Sequence, residues 1–192
     1  MFEFDPRNYG SGVAGSMDGR RLCELGPGRP DTQARTRLAA MSPDTIFAPQ
    51  PIRNSDMAEC CLSALWLWHD YLDESHRISQ DIDTASGSYW HGIMHRREPD
   101  FSNAKYWFRR AGDHPVFQPL CVEARNLVAA EDNPGPASVL QDQSDWDPFQ
   151  FVDLCEAAYH GRAADGDLCR RIARVEWQLL FDYCYQAAVG AQ

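Results

Sequence analysis

A chain of 192 residues, 44% hydrophobic and 11% aromatic, is long enough to bury one core of ordinary size, and its composition excludes a disordered chain. A formal net charge of −10 argues against a nucleic-acid groove as the main feature, because neutralising phosphates needs a basic footprint. No run approaches the ~18 to 20 apolar residues of a membrane helix, and the start MFEFDPRNYGSGVAGS has neither a secretory nor an organellar pattern. The expectation is a cytoplasmic protein that engages neither membrane nor nucleic acid.

Residues 1–29 are rich in Gly, Pro, Arg and small polar residues and predict an extended or mobile arm. Asp31 can cap a short helix reaching Met41, and Ser42 followed by Pro43 is a helix-start signal. The expected division is an irregular arm over 1–41 and one helical domain over 42–192. From Ser55 to about Glu74 the apolar residues run nearly all round the cylinder, as in a central, buried helix. The following SHRISQDIDTASGS loses that periodicity and predicts a loop.

A second helix is expected from near Ser88 through YWHGIMHRRE, ending before Pro99 because the residue ahead of a proline avoids helical geometry. A third runs from the cap Ser102 to Gly112. A fourth follows Pro115, with Pro119 tolerated in its first turn. Asp147 as cap, Pro148 at the first position and Gly161 after His160 bracket a fifth, and Leu168, Ile172, Val175, Leu179 and Tyr183 mark a last helix from about Gly166 to Val189. No strand pattern of comparable length occurs. The prediction is an all-α domain of five to seven helices built around Ser55–Glu74.

The seven cysteines include no C-x-x-C pair and no zinc-ribbon spacing, so they predict reduced, structural thiols. The local chemistry concentrates between Ser88 and Pro115, which holds half the histidines, the single lysine and four arginines. His91-x-x-x-His95 with Glu98 three residues on places three side chains on one stripe of a helix. Two imidazoles at that spacing can share a zinc, iron or manganese ion, with Glu98 completing the site or acting as a base and His69 or Glu74 adding ligands from the neighbouring segment. The alternative is that the histidines cap or hydrogen-bond within a buried interface. Glu156-x-x-x-His160 is a further carboxylate and imidazole pair at helical spacing, similar to the E-x-x-x-H of some heme-oxygenase-like diiron oxidases, without a matched second motif; its plainer reading is a solvated helix end.

Lys105 is the only lysine among eighteen bases and could serve as a nucleophile or base if desolvated. Arg96, Arg97, Arg109 and Arg110 alternate with Trp90 and Trp107, a pattern that suits a small anionic substrate held by guanidinium forks and aromatic faces. The same residues also suit a non-enzymatic protein that recognises an acidic ligand or partner. They could instead pair internally with Asp70, Asp73, Glu74, Asp81 and Asp83. No G-x-S-x-G, P-loop or dinucleotide fingerprint is present.

The blocks LWHDYLDESHRISQDID, YWHGIMHRREPDFSNAKYWFRRAGDHPVF, FVDLCEAAYHG and EWQLLFDYCY resemble a family of small hypothetical proteins over most of residues 56–186. That resemblance implies no activity, cofactor or catalytic residue.

Overall fold

The computed structural model describes residues 2–17, 21–162 and 165–191. Among them every regular element is helical: ten α-helices, two 3-10 segments and no strand. Seven helices have eight residues or more: α4 (Ser55–Trp68), α5 (Leu72–Ser79), α6 (Ala85–Arg97), α7 (Phe101–Ala111), α8 (Phe117–Ala129), α9 (Pro148–Tyr159) and α10 (Gly166–Val189). The total exceeds the expected five to seven because single turns α1 (Gly10–Ala14), α2 (Arg35–Ala39) and α3 (Pro43–Phe47) add to them.

Caps visible in the sequence set several boundaries. Asp147 accepts from the backbone N–H groups of Phe149 and Gln150 to open α9, and Ser42 and Thr45 form a reciprocal capping box on α3. Two helices start earlier than expected. Thr84 rather than Ser88 caps α6, and Asp100 rather than Ser102 caps α7.

Two expectations are corrected. The arm does bury surface: Tyr9 and Val13 are core residues, and Phe4 stacks on Tyr9 at 4.9 Å while meeting Trp177 and Phe181 edge-on at 6.0 Å. A few aromatic anchors hold a segment whose average composition is polar. Residues 1 and 18–20 of that expected arm lie outside the described residues. Nor is Ser55–Glu74 one helix, since α4 stops at Trp68 and Asp70 turns the chain with φ 63°. Aspartate tolerates the left-handed region better than most residues, and here its carboxylate is held by Arg21 at 2.5 Å and Arg97 at 2.6 Å. A Cβ on Gly28 would stand 2.6 Å from the Asp70 carboxyl carbon, so this knot requires glycine there.

Trp177 of α10 anchors the core. Trp68, Trp90 and Phe181 surround it at centroid distances of 4.7, 5.7 and 4.9 Å, and its indole N–H donates to the Ala64 carbonyl at 3.2 Å. No cysteine is bridged, and all but Cys23 are buried.

An ion pair between α6 and α10 lies inside this core. Arg96 of α6 grips Glu176 of α10 with both terminal nitrogens, one of them at 3.2 Å, and the Tyr89 hydroxyl donates to the same carboxylate at 3.2 Å. Glu176 is 0% exposed and Arg96 2%. The guanidinium also lies over Phe151 of α9 and Phe108 of α7, at 4.7 and 5.8 Å. Breaking a buried pair strands a charge and costs about 3–5 kcal/mol, whereas replacing both partners with apolar groups is often neutral. Urea denaturation should therefore show Arg96→Met destabilised by about that amount, with much of the loss recovered in the Arg96→Met, Glu176→Leu double variant.

Candidate metal centre

α5 starts within the end of the expected first helix and runs into the segment expected as a loop. Its helical face is Leu72, Ser75, Ile78 and Ser79, and Ser75 and Ser79 are buried. Small hydroxyl side chains pack as spacers there: Ser63 of α4 lies 2.9 Å from the Ser75 hydroxyl and donates to its carbonyl at 3.0 Å. Asp73 and Glu74 in the first turn and His76 and Arg77 in the last complement the helix dipole.

α6 is buried from Ser86 to Arg97, so its polar residues need partners on every side. Two glycines admit its neighbours. A Cβ on Gly87 would meet the Ile82 carbonyl at 2.3 Å, and one on Gly92 would press the Phe108 ring at 3.3 Å.

His76 of α5 and His91 and His95 of α6 come together between these helices. Their ring centroids are 4.6 Å (His76–His91), 4.7 Å (His91–His95) and 5.3 Å (His76–His95) apart. Each ring can offer a nitrogen such that all three lie within 4.8 Å of one another. Ligand nitrogens around a tetrahedral zinc stand about 3.3 Å apart, given Zn–N bonds of about 2.0–2.1 Å, so the rings must draw together by side-chain rotation to share one ion. Trp107 of α7 closes one side, its ring 4.1 Å from that of His91.

Hydrogen bonds orient both α6 rings. His95 Nδ1 lies 3.0 Å from the Glu98 carboxylate, which can only accept, so Nδ1 carries the proton. His95 Nε2 is then the lone-pair nitrogen, facing the Asn103 amide at 3.0 Å. His91 Nδ1 lies 3.1 Å from the Ser79 hydroxyl. Imidazoles that ligate metals are oriented in this way, with the other ring nitrogen bound to a carboxylate or another polar group. Burial, reinforced by the neighbouring histidines, pushes the His91 pKa down to about 3. Burial also lowers that of His95, with Glu98 acting the other way. Both rings are neutral near pH 7, the form that binds metal.

The other residues singled out from the sequence lie elsewhere. His69 is engaged by the N-terminal segment, Nδ1 at 3.0 Å from Asp31 and Nε2 at 2.7 Å from the Ser16 carbonyl. Glu74 pairs with Arg35 at 2.9 Å. Neither joins the cluster, and His76 takes the place expected for them. Arg96 is the core cation described above. Arg97 binds Asp70 and donates to the Gly26 carbonyl at 2.7 Å. Trp90 is fully buried against Trp177, and its indole nitrogen meets no acceptor among the described residues. The expectation that Arg96, Arg97 and Trp90 contact a substrate is therefore corrected: burial commits them to the fold. Lys105 is held by Asp153 at 2.5 Å, and Arg109 lies over Phe149 at 5.5 Å. Arg110 pairs with Asp83 at 3.1 Å and stacks over Trp107 at 5.2 Å, which joins it to the histidines through that ring. His160 at the end of α9 packs near Phe101, apart from this cluster.

The chain matches no family model, no curated protein and no solved structure. What this site does has to be argued from its own geometry.

His114, the third histidine of the Ser88–Pro115 stretch, has a different setting. Its Nδ1 accepts from the Val116 backbone N–H at 3.2 Å, leaving Nε2–H to donate to Ser86 at 3.0 Å. Burial lowers its pKa to about 4. Because the folded pKa lies below the unfolded value of 6.5, the unfolded chain binds this proton first, and stability falls as pH drops from about 6.5 to about 4. The loss attributable to His114 should be roughly 3 kcal/mol. Urea denaturation of wild type and His114→Gln at pH 7, 5 and 4 measures it, and the variant should show the shallower decline.

Proposed function

We propose that His76, His91 and His95 bind a divalent transition metal, zinc, iron or manganese, and that the protein uses it for metal-assisted chemistry on a small molecule. The observation that carries this reading is the convergence of three imidazoles from two packed helices, two of them oriented by hydrogen bonds. Three protein ligands with a remaining open position is the arrangement of catalytic rather than structural zinc sites. A metal held there would supply a Lewis acid and an activated water near neutral pH.

The protein residues have distinct parts in this reading. Glu98 orients His95 and raises its basicity, and Ser79 does the same for His91. Trp107 walls one side against solvent, and Arg110, stacked on its ring and paired with the exposed Asp83, is the cation placed to meet a substrate's negative charge. An anionic substrate thus keeps one of its expected partners here and loses Arg96 and Arg97.

Calorimetric titration of chelator-treated protein with zinc, iron(II) and manganese(II) should show one ion bound per chain. The His91→Ala, His95→Ala double variant, checked for helix content by circular dichroism, should lose that binding. Absence of binding by any of the three ions to folded wild-type protein would overturn the reading. Within the same titration Glu98→Gln should weaken affinity by about 10- to 100-fold, the usual effect of removing such an orienting partner.

A further inference from the structure

α7 offers different chemistry on its other side. At 3.6 residues per turn, Ser102, Lys105 and Arg109 face away from Asn103 and Trp107, which meet the histidines. Together with Pro99, Phe101 and Glu156 of α9 they border an open cavity of 630 Å³, within the range of small-molecule sites.

The charges around it are not equally engaged. Lys105 is neutralised by Asp153 of α9 at 2.5 Å. Asp100 is occupied as the cap of α7, accepting from the Asn103 backbone N–H and the Ser102 hydroxyl, both at 3.1 Å. Arg109 and Glu156 are different. Among the described residues neither side chain has a hydrogen-bond or ion-pair partner, and they do not pair with each other, although they border the same cavity from facing helices. Arg109 is positioned by the face of Phe149 beneath its guanidinium.

We infer that this cavity binds a small zwitterion, an amino acid or short peptide with an apolar side chain. Its carboxylate meets the Arg109 fork, its ammonium meets Glu156, and its apolar part lies on Pro99 and Phe101. An anion alone fits less well, because the lining sets the carboxylates Asp100 and Glu156 beside Lys105 and Arg109, and Lys105 is already paired with Asp153. A ligand with both charges satisfies at once two groups that have no polar partner among the described residues. This site is independent of the histidine cluster.

The test is an NMR titration of the ¹⁵N-labelled full chain with L-phenylalanine, glycyl-L-phenylalanine, 3-phenylpropionate and 2-phenylethylamine. At least one of the two zwitterions should give saturable shifts at amides of residues 99–109 and 153–156, and the tighter of them identifies a free amino acid or a peptide as the ligand type. The acid and the amine should each bind at least about tenfold more weakly, as expected for one lost charged contact. Arg109→Gln should reduce zwitterion binding to the level of the amine, and Glu156→Gln to that of the acid; both positions lie at the surface of the fold. No saturable shift with either zwitterion, or phenylpropionate binding as tightly as phenylalanine, would overturn the inference.

Discussion

Burying a guanidinium and a carboxylate in one core is tolerable only if every remaining polar atom is satisfied and the surroundings are tightly packed. The Arg96–Glu176 pair sets that requirement here. It joins α6 to α10, recruits the Tyr89 hydroxyl, and lies against the rings of Phe108 and Phe151, so four helices must meet around one side chain. The arrangement of α6, α7, α9 and α10 follows from that demand as much as from apolar burial.

The same helix distributes its polar residues in three directions. His95, Arg96 and Arg97 are consecutive, and helical geometry turns each by about 100° from the last. His95 goes to the histidine cluster, Arg96 to the core and Arg97 to the chain reversal at Asp70 and the N-terminal segment. α6 is thus a buried helix with few apolar side chains, held by hydrogen bonds made one residue at a time: Ser86 to His114, Tyr89 and Arg96 to Glu176, His91 to Ser79. His91 and His95 stand on such a helix with their rings held by Ser79 and Glu98, the kind of support a ligand set requires.

Much of the fold was legible because its signals are local. Pro148 after Asp147, Gly112 after Ala111 and the spacing from Leu168 to Tyr183 mark helix ends and faces that the structure contains. α5 was not legible, because its buried face uses Ser75 and Ser79, which hydropathy counts as polar although they are packed and bonded. With α5 assigned to a loop, His76 had no face and no direction. The His91–His95 pair could be read from its spacing alone. Its third member was visible only as a histidine one turn beyond Leu72, a signal that needs the helix first.

Charge was the least legible property. Arg96, Arg97, Lys105, Arg109 and Arg110 look alike as a basic stretch, yet two are buried in the fold, two are paired at the surface and one has no polar partner among the described residues. The sequence by itself determined the helical class, most helix boundaries and the pairing of His91 with His95, because propensity, caps and the 3.6-residue period act over neighbouring positions. Only the tertiary structure decided that His76 joins them, that Asp70 breaks the first long helix and that Arg96 lies in the core, because each depends on a partner distant in the chain whose position exists only once the helices have packed.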